Sequence, residues 1–254
     1  MIKLKNKDII EFLKRKDINI LGFATIKDII PLIPDVLSPK KKLKDANSAI
    51  CYAIPIPKGV LYSDYNNKLQ FWRYSNISYR NLDNVSNFLS LFLEEHGYIS
   101  TPINSSFPMK IINREYWGYL PLVYLAEQAG LGKITKCGLL GNPKYGTRIL
   151  LGGVFTSKNF KKSEIIQQEI CPTDCFECIN NCPFNAIDQT GKVNHSLCMR
   201  KANINPIMTH LIKEKELTKS IDFETILNTV GVEDHAIYVC FNCLYTCPLN
   251  IKFN

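Results

Sequence analysis

Three stretches in the first half of the chain show helical spacing of their apolar residues. In residues 7–16 the apolar side chains fall on one side and the charges elsewhere, which predicts an amphipathic helix. Residues 66–96 carry apolar positions at steps of three and four, and Gly97 supplies a C-terminal stop. Residues 116–129 predict a further helix that is bent at Pro121 or begins there.

Apolar runs of strand length lie between these helices and after the last of them. They cover residues 18–24, 48–56, 98–103 and 148–155. The polar stretch 156–168 is interpreted as a linker or a connecting helix, and residues 214–230 as a helical insertion in the C-terminal part. This order predicts an α+β protein with two domains, residues 1–160 and residues 161–254.

Eight of the ten cysteines lie in the last third of the chain. The motif C-x2-C-x3-C-P occurs there twice, before Pro183 and before Pro248. Bacterial ferredoxin runs have this form, and the cysteine before the proline ligates the other cluster. The count therefore predicts two four-iron four-sulfur clusters with these candidate ligands: Cys171, Cys175, Cys178, Cys182, Cys198, Cys240, Cys243 and Cys247.

Disulfide bonds and zinc ligation are two other roles for such thiols. No secretory leader pattern follows Met1, so we expect a reducing compartment, where disulfides are disfavoured. Zinc is the stronger rival, but zinc sites favour paired C-x2-C knuckles, whereas each motif here is a triplet ending in proline. Cys51 and Cys137 lie outside the motifs and are predicted to be buried, inert thiols.

Charge and apolar content leave the choice of partner open. The formal net charge is +8, and two oxidised clusters of about −2 each lower it to about +4. The lysines are spread along the chain, which permits a nucleic-acid partner without requiring one. No apolar run reaches the length of a membrane span, so we expect a soluble, cytoplasmic protein without membrane contact.

A glycine-rich turn, residues 129–133, separates the helix at 116–129 from the next strand. It resembles the start of a dinucleotide-binding fingerprint, but the third glycine is absent and a helix precedes it where a strand is needed. NAD binding is therefore not expected.

Three stretches and the cysteine order resemble the epoxyqueuosine reductase family. The stretches are residues 43–50, residues 125–140 with the Ala129-Gly130-Leu131-Gly132 turn, and residues 146–156. The lone Cys198 after the first triplet also matches the family order. These enzymes use cobalamin in the last reductive step of queuosine synthesis on tRNA, and they are related to reductive dehalogenases.

This resemblance implies a fold, a ligand assignment and partners. Residues 1–160 would form a nitroreductase-like α/β domain that holds cobalamin with no protein histidine on cobalt, and residues 161–254 a ferredoxin-like double-cluster domain. One cluster would use Cys171, Cys175, Cys178 and Cys247, and the other Cys182, Cys198, Cys240 and Cys243. An external low-potential donor of the ferredoxin or flavodoxin type would supply electrons, and tRNA would be the substrate.

The resemblance also implies candidate cofactor residues. Glycines permit close backbone approach, which a large flat cofactor requires, although a plain tight turn explains them equally. Lys136 and Arg148 would pair with cofactor carboxamides or phosphate, or else be solvated at the surface. The candidate cofactor residues are thus Gly130, Gly132, Lys136, Gly138 and Arg148.

The proton donor is less clearly marked. The family's catalytic Asp has no counterpart after Ile103, and its Asp-Tyr-His appears here as Ser78-Tyr79-Arg80. Tyr79 is therefore the candidate catalytic residue. The alternative interpretation is that Tyr79 is an ordinary packed tyrosine. Other candidates are Tyr74, Glu115 and Glu127, of which Glu127 is expected to be structural.

The chain departs from the family pattern at two points. The C-x3-C spacing from Cys171 to Cys175 replaces the family's C-x2-C and makes Cys171 the least certain ligand, whereas the missing Asp leaves the substrate undefined and keeps other functions open. The alternatives are an electron-transfer protein that delivers electrons to a partner's corrinoid or flavin, and a flavin enzyme on the same scaffold.

Overall fold

The computed structural model describes residues 3–63, 67–104, 109–113, 115–118, 120–204, 237–238 and 240–251. Its helices are α1 (Asn6–Lys14), α2 (Ile26–Ile29), α3 (Pro39–Lys42), α4 (Lys58–Tyr62), α5 (Asn67–Glu95), α6 (Leu122–Gln128), α7 (Glu177–Asn180), α8 (His195–Ala202), α9 (Asn242–Tyr245) and α10 (Pro248–Ile251). Short 3-10 turns cover Ile30–Leu32 and Asp35–Leu37.

The strands are β1 (Ile20–Thr25), β2 (Ser48–Pro55), β3 (Ser100–Ile103), β4 (Met109–Ile112), β5 (Glu115–Gly118), β6 (Lys133–Ile134), β7 (Leu140–Gly141), β8 (Ile149–Thr156), β9 (Asn203–Ile204) and β10 (Ile237–Tyr238). Four of them form a sheet in the order β1-β2-β8-β3, and every pairing in it is antiparallel. The pairs β4-β5, β6-β7 and β9-β10 are separate. Mixed helices and strands were predicted, and they are confirmed.

Side chains of β2 alternate between two hydrophobic layers. Ile50 and Tyr52 face the layer formed with α1 and α5, whereas Ala49, Cys51 and Ala53 face the layer formed with α2 and α6. Successive residues of a strand point to opposite faces, so a fully buried strand supplies both layers. The sheet therefore lies between α5 on one side and α6 on the other.

The long helix α5 matches the predicted span closely. It begins at Asn67 and ends at Glu95, and Gly97 follows with a φ of 83°. Leu82 and Leu89 are fully buried against the sheet. These positions of the apolar stripe are core, as expected, whereas Phe88 of the same stripe is exposed, so the expectation is wrong there.

The predicted helix over residues 116–129 is wrong in its first part. Residues Glu115–Gly118 form β5, which pairs with β4, and the helix begins only after its N-cap residue Pro121. A proline fits the start of a helix because it lacks the amide hydrogen that an interior position needs. The alternative that the helix starts at Pro121 is therefore confirmed.

The stretch after β8 is not a helix, so that part of the interpretation of residues 156–168 is wrong. Ser163 exchanges backbone and side-chain hydrogen bonds with Phe23 of β1, both at 2.9 Å, and the amide of Phe160 donates to Ser48 Oγ at 2.9 Å. The extended chain is thus attached to the sheet beyond residue 160. The division at 160/161 stays a prediction, and the predicted helix at 214–230 lies outside the described residues.

Within the described ranges, no helix combines the length and apolar character needed to cross a bilayer.

Candidate metal centre

The two cysteine triplets are built from the same local structure. Phe176 precedes α7, which carries Cys178, and Phe241 precedes α9, which carries Cys243. In each copy the phenylalanine carbonyl accepts hydrogen bonds from the amides three and four residues later, at 2.8 to 3.0 Å. Asn242 Nδ2 donates to the carbonyl of Asn181 at 3.4 Å and joins the copies.

One set of thiols gathers around Cys178 and Cys171. A hydrogen bond to Cys137 and burial raise the pKa of Cys178, and the nearby Cys171 and Cys175 raise it further. Burial raises the pKa of Cys247, and Cys171 is again one of the charges that add to the rise. The charge of Cys171 therefore raises the pKa of both Cys178 and Cys247, despite the irregular spacing of its motif.

A second set gathers around Cys198 on α8. Burial raises the pKa of Cys198 to about 11, with added rises from Cys240, Cys182 and Cys137. The pKa of Cys243 is raised by a hydrogen bond to Cys137, by burial and by charges that include Cys198 and Cys240. Cys182 accepts a hydrogen bond from the amide of Ala186 at 3.3 Å. The resemblance assigns four of these cysteines to the second cluster, namely Cys182, Cys198, Cys240 and Cys243.

Cys137 connects the two sets, which the sequence did not indicate. It is buried as predicted, with 8% of its surface exposed, but it is not remote from the candidate ligands. Cys178 of one set and Cys243 of the other donate hydrogen bonds to its sulfur, which hold the pKa of Cys137 well below its ordinary value. Thr135 Oγ1 also lies 3.2 Å from this sulfur. The burial predicted for Cys137 is confirmed, and its packing against Cys178 and Cys243 is a feature that the sequence did not predict.

The thiols of each set are near one another without converging on one point. Among the described residues, no three Cys, His, Asp or Glu side chains are arranged around a single ion. A four-iron four-sulfur cluster does not need that arrangement, because each of its four cysteines binds a different iron atom. The donor set, two groups of four thiols, fits two such clusters.

The turn that carries Cys137 also carries Lys136, whose ammonium supports the first ligand loop. Lys136 Nζ donates to the carbonyls of Pro172 at 3.0 Å, Thr173 at 2.6 Å and Cys175 at 2.8 Å. It also lies 4.6 Å from the centre of the Phe176 ring. Lys136, a candidate cofactor residue, is thus engaged with the loop between Cys171 and Cys175.

A second support comes from the loop between β7 and β8. The buried Asn250 side chain accepts a hydrogen bond from the amide of Thr147 at 2.9 Å and donates to Thr147 Oγ1 at 3.0 Å and to the carbonyl of Leu244 at 2.6 Å. Because Leu244 and Asn250 flank Cys247, these bonds fix the second triplet to the first part of the chain.

The three candidate cofactor glycines face protein atoms. A Cβ at Gly130 would lie 2.2 Å from the carbonyl oxygen of Glu164, and one at Gly132 2.1 Å from the carbonyl oxygen of Gly141. At Gly138 it would lie 3.1 Å from Val193. Gly130 and Gly138 both have a φ of 76°, which favours glycine. Packing and turn geometry account for all three.

Arg148 retains one unused donor. Its Nη1 donates to the carbonyl of Ile56 at 2.6 Å, and the guanidinium lies 5.5 Å from the Tyr145 ring. Its Nε is buried and has no hydrogen-bond partner. Among the five candidate cofactor residues, Arg148 is therefore the one with an unsatisfied polar atom in the part of the chain that the structure describes.

The candidate proton donors have separate surroundings. Tyr79 is half-buried on α5 against the layer that contains Tyr52. Tyr74 donates its hydroxyl to the carbonyl of Pro55 at 2.7 Å. Glu127 accepts a hydrogen bond from the amide of Ile134 at 2.8 Å, which is the structural role expected of it. The side chain of Glu115 lies outside the described residues.

These observations define a class: a mixed helix and strand protein whose last third gathers two groups of four thiols. In sequence, the chain is 28% identical over 133 residues to the epoxyqueuosine reductase of Listeria monocytogenes, a match that covers 52% of this chain and 30% of that enzyme. No protein-family model matches the chain. The chain thus spans about a third of the length of this curated relative.

Solved structures share the fold over more of the chain. The epoxyqueuosine reductase of Streptococcus thermophilus matches with a TM-score of 0.58 at 18% identity, over 98% of this chain and 66% of that one. An epoxyqueuosine reductase bound to an epoxyqueuosine-modified tRNA stem loop gives 0.54 at 20% identity, over 96% and 64%. A reductive dehalogenase also gives 0.54, at 17% identity, over 82% and 26%. The predicted resemblance is confirmed: the chain is similar to epoxyqueuosine reductases in sequence over about half of its length and in fold over most of it.

Proposed function

We propose that this chain is an iron-sulfur oxidoreductase of the epoxyqueuosine reductase type, with two four-iron four-sulfur clusters. The observation that supports the proposal is which charges raise the cysteine pKa values: Cys171 acts on Cys178 and Cys247, whereas Cys240 acts on Cys198 and Cys243, in agreement with the crossed assignment of the motifs. The first group holds one cluster through Cys171, Cys175, Cys178 and Cys247. The second holds the other through Cys182, Cys198, Cys240 and Cys243.

Bound clusters supply and accept single electrons at a potential that burial and hydrogen bonds to sulfur adjust. The chain offers both means of adjustment. Cys178 and Cys247 are buried, and Cys182 receives a backbone hydrogen bond from Ala186. Cys137 packs with Cys178 of the first group and with Cys243 of the second, so both groups lie close to the same side chain. That proximity supports electron passage between the clusters.

The relatives suggest a cobamide as the cofactor of substrate reduction. The dehalogenase of similar fold is described as acting by B12-dependent dehalogenation. The residues present fit a cobamide poorly, because Lys136 and the three glycines are occupied by protein contacts. Arg148, with its unpartnered Nε, is the one candidate that remains available.

The proposed reaction is reductive deoxygenation or elimination. Conversion of an epoxide to an alkene consumes two electrons and two protons and releases water, so an external low-potential donor of the ferredoxin or flavodoxin type is required. Tyr79 is the proposed proton donor. Epoxyqueuosine-containing tRNA is the first substrate to test, since a relative of similar fold was solved with such a stem loop.

A second candidate function is electron transfer to a partner's corrinoid or flavin, without substrate chemistry in this chain. The engagement of Lys136, Gly130, Gly132 and Gly138 in protein contacts favours it over a cofactor-binding enzyme. Both candidates share the two clusters, and they differ in whether this chain itself binds the cofactor and reduces a substrate.

Cofactor titration separates the candidates. The chain is reconstituted anaerobically, and cobalamin and then flavin are added while the visible spectrum is recorded. Cobalamin binding, followed by turnover of epoxyqueuosine-containing tRNA under a strong reductant, supports the enzyme. Reducible clusters with no affinity for cobalamin refute the cobamide enzyme and leave the electron carrier, or a flavin enzyme if flavin binds instead.

A further inference from the structure

The three acceptors around Lys136 all belong to the segment that departs from the usual ligand spacing. Between Cys171 and Cys175 lie Pro172, Thr173 and Asp174, one residue more than a C-x2-C motif contains. All three are exposed to solvent, so no side chain of this loop anchors it in a core. Its backbone needs another support if the two flanking sulfurs are to hold fixed positions.

Lys136 supplies that support with its whole hydrogen-bonding capacity. An ammonium has three donors, and here three carbonyls, those of Pro172, Thr173 and Cys175, lie at 3.0, 2.6 and 2.8 Å. The Phe176 ring lies beside the same nitrogen. The lysine thus binds the loop from its second residue to the cysteine that ends it.

The position of Lys136 is itself fixed by neighbouring turns. The amide of Gly138 donates to the carbonyl of Thr135 at 2.8 Å and closes the turn that carries Lys136. Gly191 has a φ of 83°, and a Cβ there would lie 3.1 Å from Cβ of Lys136. Its charge is therefore held beside a loop whose two cysteines would share in a cluster of charge about −2.

We infer that Lys136 is a positioning residue for the first cluster: it holds the irregular Cys171–Cys175 loop and contributes a positive charge beside it. This inference rests on the proposed function, because it requires that the first group of cysteines holds a cluster. It assigns Lys136 a role distinct from pairing with cofactor carboxamides or phosphate.

The test compares K136M with K144M in the full chain, reconstituted anaerobically. Lys144 is an exposed lysine eight residues further on, whose nitrogen lies 5.2 Å from the Tyr145 ring, so it controls for loss of one charge. Iron release to a chelator is followed over time, and a redox titration monitored by electron paramagnetic resonance reads each cluster. The signal left in C171A identifies the second cluster.

In K136M the first cluster is expected to release iron about tenfold faster than in the unaltered chain, since hydrogen bonds to a charged group are lost. Its midpoint potential shifts lower, because removal of a nearby positive charge disfavours the more negative reduced state. The second cluster and both clusters of K144M stay unchanged. K136R keeps the charge but has a planar donor group that does not suit three converging carbonyls, so it restores the potential and not the slow release.

Unchanged release and potential in K136M overturn the inference, and so does an equal loss from both clusters. Should K136M not fold, K136R decides alone: release as slow as in the unaltered chain rejects the three-carbonyl role. Failure of the unaltered chain to take up two clusters is a different result, because it rejects the proposed function before Lys136 is tested.

Discussion

Asn250 and Thr147, 103 residues apart in the chain, are joined by a pair of hydrogen bonds between a buried side chain and a buried loop. The amide side chain accepts from the backbone of Thr147 and donates to its hydroxyl, and it also donates to the carbonyl of Leu244. Two parts of the molecule that are distant in sequence are thereby fixed together next to Cys247.

Replacement of Asn250 by alanine is expected to destabilise the chain by about 2 kcal/mol, because it leaves buried donors and acceptors without partners. Chemical denaturation of the anaerobically reconstituted protein measures this change. Asn19→Ala is the matched control, since Asn19 is exposed and makes one long hydrogen bond of 3.4 Å. An equal stability of the two variants would contradict a joining role for Asn250.

Gly130 permits a close contact that no other residue allows. A side chain there would clash with the carbonyl oxygen of Glu164. The backbone φ of 76° is also unfavourable for any residue with a side chain. Gly130→Ala is therefore expected to lower stability by about 2 kcal/mol or more. In Gly59→Ala the added methyl meets nothing within 4 Å, and because Gly59 lies in α4 a stabilisation of about 0.5 kcal/mol is expected.

The comparison is made on the chain without cofactors, by thermal unfolding. If Gly130 served only to admit a cofactor, Gly130→Ala would melt at the same temperature as the unaltered chain.

Cys171 is expected to be a ligand in spite of its C-x3-C spacing, since it neighbours both Cys178 and Cys247. In C171A the first cluster keeps only three thiolate ligands, so its occupancy is expected to fall and the iron content after reconstitution to drop from about eight towards about four per chain. Chemical analysis of iron and sulfide checks this. An iron content near eight in C171A would remove Cys171 from the first group.

Cys137 is expected to be dispensable for cluster assembly, because each group already has four thiols. C137A should retain about eight irons, as should C51A, the control at a fully buried cysteine of β2. Cys51 packs in the layer formed with α2 and α6, away from the cysteine groups. A loss of about four irons in C137A alone would show that Cys137 replaces one of the eight proposed ligands.

Local patterns were sufficient to predict several core elements and the similar structure of the two cysteine motifs. The bounds of α1 and α5 follow from apolar spacing, and Gly97 ends the long helix as expected. The two C-x2-C-x3-C-P motifs form matching turns because the same short-range hydrogen bonds recur in each. These features depend on residues that are near one another in sequence.

Features set by distant partners were not predicted. The antiparallel order of the sheet depends on which strands pair, and residues 115–118 form a strand because they pair with residues 109–112. Lys136 contacts a loop 36 to 39 residues away, and Cys137 contacts thiols of both triplets. Nothing in the sequence near these two residues marks such contacts.

The central claim is that the eight cysteines of two groups hold two four-iron four-sulfur clusters. Its most direct test is the amount of iron, acid-labile sulfide and zinc per chain after anaerobic reconstitution. Two such clusters require about eight irons, about eight sulfides and no zinc per chain. Zinc in place of iron, or an iron content of four or fewer, would contradict the central claim.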